Sequence, residues 1–307
     1  MSGSEALLKS IEEALGLLQD RPPPPARQAL VAQPLSSLLE KCQHTSAEIA
    51  ARAPEPIRTI HHFACTGGTL FSKCLAVMPN TQLLSEVDPL SSLLKLEFAP
   101  SDLILHMRHS QRPVPEDVLI EMFLSSLRTV YEHATRTGSR LVLRDHTHSH
   151  FCVGSGIPER PTVREIVARD FATLSAVTIR HPLDSFLTLR FLSQTGGWMH
   201  FDPKTLEEYC KRYMVFLDFY EDTPVFRYES LATDPETELG KLCDTLELPY
   251  TDGFADYLSV FGLTGNSGRA GLVIKPRPRR EIPEAVAEER QSSPTYAALC
   301  ARLDYAP

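Results

Sequence analysis

The chain has 307 residues, 42% of them hydrophobic and 23% charged. That length and composition suit one large globular domain or two small ones, and exclude a wholly disordered or fibrous chain. Asp and Glu outnumber Lys and Arg, 39 to 31, giving a formal net charge of −8; general nucleic-acid binding is disfavoured, while a local basic pocket for a small anion remains compatible.

No apolar run approaches the ~20 residues of a membrane span. Residues 1–9 carry Glu5 and lack the basic-then-apolar pattern of a signal peptide. The seven cysteines are scattered, with no CxxC pair. They predict a reducing cytoplasm, and neither a disulfide framework nor a cysteine zinc site.

Residues 5–19 carry Leu7, Leu8, Ile11, Leu15 and Leu18 at helical spacing, and the prolines at 22–25 end that helix. A second helix fits 35–51. Residues 1–56 thus read as a helical extension with a Pro linker, a packing appendage or an arm for homo-oligomerisation. From 57 onward strands and helices alternate. The pattern predicts a strand at 57–64, a helix at 69–78, a strand at 82–87 and a long helix at 115–137. That helix has Val118, Leu119, Met122, Phe123, Leu127, Val130 and Tyr131 on its apolar face. Strands follow at 140–144, 173–180 and 224–228, with helices at 162–169 (opened by the capping box Thr162-x-x-Glu165), 182–195, 203–219 and 234–247. A final helix fits 283–302, after an irregular stretch with Arg, Lys and Pro at 275–280. Apolar strands alternating with helices imply a parallel sheet covered on both faces.

Ligands of such sheets bind at the carboxyl ends of the strands, so the turns there carry the chemistry. After the first strand comes Ala64-Cys65-Thr66-Gly67-Gly68-Thr69-Leu70. Two glycines allow the backbone to wrap a ligand, and the N–H groups of the helix start form an anion nest. The ATP signature GxxxxGK[ST] is missing; the lone Gly240-Lys241 pair falls in a predicted helix. A plain strand–turn–helix is the competing reading. The second turn, Arg180-His181-Pro182-Leu183-Asp184 with Thr188, places an Arg at a strand end, where it cannot reach the Asp without folding back and is free for an anion. The third, Arg144-Asp145-His146-Thr147-His148-Ser149-His150, fits metal ligation, a single histidine base, or a polar surface loop. No fourth zinc ligand is identifiable, and no metal is expected.

Taken together these segments resemble the PAPS-dependent sulfotransferase family, PAPS being 3′-phosphoadenosine 5′-phosphosulfate. The turn at 64–69 resembles the family's 5′-phosphosulfate loop, and Arg180 to Asp184 with Thr188 its 3′-phosphate motif. Residues 226–231, Asp234-Pro235 and 239–249 are similar to its strand–turn–helix, and 265–269, ending in Arg269, to the loop that closes over the nucleotide. The resemblance covers about 57–270 and implies a three-layer α/β fold of the P-loop NTPase type, with a C-terminal tail at 271–307 packed on it. It implies nucleotide contacts from Cys65, Thr66, Gly67, Gly68, Thr69, Leu70, Arg180, Thr188 and Arg269. Cys65 stands where the family has a lysine, and Lys73 or Arg144 is the candidate replacement. His146 aligns with the family's base, with Asp145 as runner-up and His148 as rival.

The function so implied is sulfuryl transfer from PAPS to a hydroxyl or amine of a small molecule or glycan, with no metal, nucleic acid or membrane involved. The alternatives are a catalytically impaired nucleotide-binding protein of this fold and, less favoured, a P-loop kinase. The acceptor pocket is expected from loops 88–115, 150–160 and 196–203, where Trp198 and Met199 either line it or pack the core.

Overall fold

The computed structural model describes residues 40, 41, 43, 44, 53–93, 99–197, 199–259 and 274–307. The chain divides into two compact units, Met1–Ala53 and Pro54–Pro307. In the first, Glu40, Lys41, Gln43 and His44 are helical; the helices expected at 5–19 and 35–51 otherwise lie outside the described residues, as do Trp198 and Arg269.

The second unit is built on five parallel strands in the order β2-β3-β1-β5-β7. They are β1 (Ile57–His62), β2 (Thr81–Val87), β3 (Arg140–Asp145), β5 (Thr173–Ile179) and β7 (Val225–Arg227). A separate pair, β4 (Val153–Gly154) and β6 (His200–Phe201), is also parallel. The central strand β1 is buried at every residue and pairs with β3 (Arg58 opposite Val142) and with β5 (Ile60 opposite Ala176). This is the near-continuous burial of a strand covered on both sides.

Period-two alternation assigns the faces. Ile60, Val142 and Ala176 pack with Leu70, Phe71 and Leu75 of α1 (Gly68–Ala76) and with Leu239 and Leu242 of α9 (Pro235–Thr245). Leu141 and Leu143 turn the other way, toward Leu127 of α3 (Glu116–Arg136) and Val163 and Val167 of α5 (Val163–Val167). Val177 and Ile179 meet α6 (Pro182–Gly196) and α7 (Leu206–Phe219) through Leu183, Phe186, Tyr213 and Phe216. The result is the expected three-layer α/β architecture.

Local chemistry explains the element ends. The capping box forms: Thr162 Oγ1 accepts from Glu165 N, and Glu165 accepts from Thr162 N at 2.7 Å. Pro182 opens α6, and Gly197, at φ +70°, closes it. In α3 the buried residues include Leu119, Ile120, Leu124 and Leu127, whereas Val118 is exposed, so the core-facing stripe is rotated from the expected one. The single helix expected at 283–302 is broken by Ser293-Pro294 into α10 (Glu284–Ser292) and α11 (Pro294–Arg302), because proline at the first position of α11 cannot donate to the preceding turn. Residues Tyr228–Thr233 form the helix α8 rather than extending a strand. Short helices α2 (Leu103–Arg108) and α4 (His148–Phe151) were not foreseen. Met199 is buried in the core with Phe201 and Tyr209.

Arg58 on β1 is 1% exposed and donates to the carbonyls of Pro56 (2.7 Å), Leu246 (2.8 Å) and Glu247 (3.2 Å), stapling the end of α9 to the sheet. Nη1 also pairs with Glu55 Oε1 at 2.5 Å, and removing the guanidinium leaves these acceptors unmatched, at about 1–3 kcal/mol for a buried one. Arg58→Met therefore lowers the urea-unfolding free energy by about that amount, whereas Lys241→Ala on the exposed side of α9 stays within about 0.5 kcal/mol of the parent.

Candidate anion-binding site

A cavity of about 490 Å³ opens at the carboxyl end of the sheet. Every main strand reaches it: His62 and the glycine turn from β1, Glu86 from β2, Arg144 and His148 from β3 and its sequel, Arg180 after β5, and Tyr228 after β7. The far wall comes from Thr188, Leu189, Phe191 and Leu192 of α6 and from the segment Arg277 to Arg280.

The glycine turn is shaped by what presses on it. Gly67 has φ +98°, and a Cβ there would lie 2.7 Å from the Tyr228 ring. A Cβ on Gly68 would lie 2.2 Å from the imidazole of His62. Both positions exclude a side chain, the first also by its left-handed backbone. Leu70 N and Phe71 N both bond back to Gly67 O; the N–H groups of Gly68 and Thr69 precede that first intrahelical bond and are the orphan donors of the helix start.

At this turn stands Arg144, 2% exposed. Its Nε donates to His62 Nε2 (3.0 Å), Nη1 to Ser85 Oγ (3.1 Å) and Nη2 to Thr69 Oγ1 (2.9 Å), while Glu86 Oε1 lies 3.2 Å from Nη2. A second cation, Arg180, lies beyond β5. Its Nη1 donates to Thr188 Oγ1 at 3.3 Å, its guanidinium sits 4.5 Å from the Tyr228 ring centroid, and its Nε is buried with no hydrogen-bond partner among the described residues. As expected it is not paired with Asp184, which instead bonds Arg279 Nε at 2.7 Å. Arg280 lies 4.0 Å over the half-exposed Phe191 ring. The lining carries five guanidiniums and one carboxylate; Arg144 is ion-paired with Glu86 and Arg279 with Asp184, and the surplus is positive, which suits an anion chemically.

Cys65, Gly67, Gly68, Thr69, Leu70, Arg144, Arg180 and Thr188 all line the cavity. Cys65 adopts φ +63°, and burial raises its thiol to about 12 against the opposing pull of Arg180 and Arg280, so it is neutral. Four expected residues are displaced. Thr66 points inward, donating to Phe63 O at 2.9 Å. Lys73 lies in the last turn of α1 and is not among the described lining residues. Asp145 sits on the opposite face of β3 from Arg144, bonded by His61 Nδ1 (2.8 Å) and Tyr220 OH (3.1 Å). His146 bonds Val87 O through its backbone, and its ring lies 3.5 Å from Ser91 Oγ, outside the cavity.

His148 takes the place expected of His146. The chain turns into helical conformation at Thr147 (φ −56°, ψ −22°), so strand alternation ends and the ring two residues on faces the site. Its Nδ1 is buried without a hydrogen-bond partner among the described residues. Burial, then His146 and Arg144, push its pKa down to about 3. Burial and Arg144 likewise hold His62 well below the ordinary histidine value. His62, Glu86, Tyr228 and Arg277 to Arg280 were not anticipated. For His62 a signal existed: it shares the face of Ile60, two residues before it on β1. Among the described residues, no group of three or more His, Cys, Asp or Glu is placed to hold a metal ion, and no helix is long and apolar enough to cross a membrane.

No family model matches the chain, and no curated protein matches it. Solved structures similar to it include the sulfotransferase domain from the Synechococcus PCC 7002 olefin synthase (15% identity, TM-score 0.46, covering 83% of this chain and 97% of that one). Two others are mouse sulfotransferase SULT7A1 complexed with PAP (10%, TM-score 0.41, 83% and 90%) and sulfotransferase STF9 from Mycobacterium avium (12%, TM-score 0.42, 87% and 82%). At these identities and scores the likeness assigns no ligand and no residue role to this chain.

The depressed histidines have a consequence for acid stability. Below the ordinary histidine pKa of about 6.5 the unfolded chain takes up protons that folded His148 refuses until about pH 3. Stability contributed at neutral pH is therefore lost as pH falls between those values. His148→Gln makes the urea-unfolding free energy fall less steeply with pH across that window, by up to about 1.4 kcal/mol per pH unit; equal slopes for variant and parent would contradict the burial of the His148 ring.

Proposed function

We propose that this cavity holds PAPS and that the protein transfers its sulfuryl group to a hydroxyl or amine of a small molecule or glycan. The observation that carries this reading is the presence of two separate cationic stations in one cavity, Arg144 with Thr69 at the glycine turn and Arg180 with Thr188 beyond β5. A nucleotide bearing anionic groups at both its 5′ and 3′ positions matches two stations; an ordinary nucleoside monophosphate matches one.

Sulfuryl transfer is governed mainly by positioning and electrostatics, as phosphoryl transfer is. In the proposed reaction the acceptor oxygen or nitrogen forms a bond to sulfur. The bond from sulfur to the bridging phosphate oxygen breaks, and its electron pair stays with the departing adenosine 3′,5′-bisphosphate (PAP). Arg144 and the N–H groups of Gly68 and Thr69 offset the charge that develops there, a task the neutral Cys65 cannot perform. The acceptor proton passes to the imidazole of His148, which replaces His146 in this role. Burial is the main cause that holds the His148 pKa down, with His146 and Arg144 adding to it; the donor's negative charge counters the Arg144 contribution and leaves the burial in place.

One observation favours a second reading, a nucleotide-binding protein without turnover: the thiol of Cys65 stays neutral where a lysine is expected. A kinase is disfavoured by the missing GK[ST].

Calorimetry decides the first point. A charge-assisted contact contributes about 1.5–3 kcal/mol, so PAP binds on the order of tenfold or more tightly than 5′-AMP, and Arg180→Ala abolishes the difference. Equal affinities in the parent protein refute the two-station reading. Transfer of labelled sulfate from PAPS tests turnover: His148→Ala lowers the rate by about 10²–10⁴-fold with PAP affinity little changed, whereas His146→Ala has a small effect. The reverse ranking would return the base to His146.

A further inference from the structure

His62 touches both the glycine turn and the guanidinium beside it. Its ring packs against Gly68 so closely that a Cβ there would lie 2.2 Å away. The residue is 2% exposed. Its Nδ1 lies 3.3 Å from Phe63 O, and its Nε2 3.0 Å from Arg144 Nε. A carbonyl can only accept, so Nδ1 carries the proton; Arg144 Nε can only donate, so Nε2 is bare. Both contacts select the same neutral tautomer. Burial and the charge of Arg144 oppose any second proton.

We infer that His62 is a positioning residue: its Nε2, set as an acceptor by the Phe63 carbonyl, fixes the plane of the Arg144 guanidinium at Thr69, so that Arg144 supplies at the donor's 5′ group the charge that Cys65 lacks. A guanidinium is a rigid planar fork, and anchoring Nε orients the two terminal nitrogens together. Nη1 and Nη2 are then directed by Ser85, Glu86 and Thr69, three residues on two different elements. This inference rests on the cavity being the donor site, and deepens that reading by assigning an orienting partner to one of its two stations.

The test is calorimetric titration of the full chain with PAP, 5′-AMP and 3′-AMP. His62→Leu removes the acceptor, and it is expected to weaken PAP and 5′-AMP about tenfold or more while leaving 3′-AMP within about twofold. His62→Gln, whose amide oxygen can accept from Arg144 Nε, recovers most of the loss. Arg144→Lys keeps the charge but loses the fork, reproduces the 5′-selective weakening, and makes a further His62→Leu change without effect on 5′-AMP. A residue that merely packs would weaken all three ligands alike and would not be rescued by Gln; either result overturns the inference, as does an unchanged 5′-AMP affinity in His62→Leu. Should His62→Leu fail to fold, Arg144→Lys and His62→Gln decide: 5′-selective loss in the first with near-parent binding in the second supports the inference, and any other pattern overturns it. If the parent binds none of the three nucleotides, the donor-site reading falls and this inference with it. If the parent prefers PAP through Arg180 yet His62→Leu is silent, only the inference falls.

Discussion

The contact between Arg144 Nε and His62 Nε2 ties the site together, because each partner is almost fully buried. A guanidinium withdrawn from solvent needs several acceptors at once; here they come from β1, β2 and α1. The same imidazole that accepts from Arg144 fills the space where a Cβ of residue 68 would lie. Cation, histidine and glycine are thus a single solution to one packing problem. Changing any of them disturbs the geometry of the turn as well as its charge.

The parallel strands supply the separation that such a site requires. On β3, Arg144 faces the cavity and Asp145 faces away, although they are adjacent in sequence. Asp145 belongs to a closed network with His61, Tyr220, Thr59 and Ser175: His61 Nε2 lies 2.9 Å from Thr59 Oγ1, which is 2.8 Å from Ser175 Oγ, and the His61 ring stacks on Tyr220 at 4.3 Å. A satisfied network of this kind anchors the layer between sheet and α7. It also keeps a carboxylate out of a cavity whose use depends on positive charge.

Much of this was legible in the residue pattern. The runs that become β3 (RLVLRD) and β5 (TLSAVTI) carry apolar cores, whereas β1 (IRTIHH) has only Ile57 and Ile60; the glycine turn and Arg180 follow directly from being strand-end residues in a parallel sheet. Opposite faces for Arg144 and Asp145 also follow from alternation. Three things were not legible, each for a local reason. The chain leaves extended conformation at Thr147, where nothing in Asp-His-Thr-His announces a helical turn, so His148 and not His146 reaches the cavity. A register shift in β2 between Leu84 and Val87, with Glu86 at φ +59°, accompanies the approach of that carboxylate to Arg144. The segment Arg277 to Arg280 has no periodicity; its place is set by tertiary contacts, the ion pair of Arg279 with Asp184 and the stacking of Arg280 on Phe191.

Arg212 on α7 shows what the surroundings of His148 tolerate. It is 2% exposed and donates to the carbonyls of Phe151, Val153 and Gly154, with Glu208 as its counter-charge. One side chain therefore counts out the backbone between the cavity histidine and the β4–β6 pair. An inserted or deleted residue at 151–154 would leave a carbonyl unmatched, at about 1–3 kcal/mol for each one stranded. The length of that stretch is thereby coupled to the reach of a single side chain on α7, so its spacing matters more than the identity of the residues that fill it.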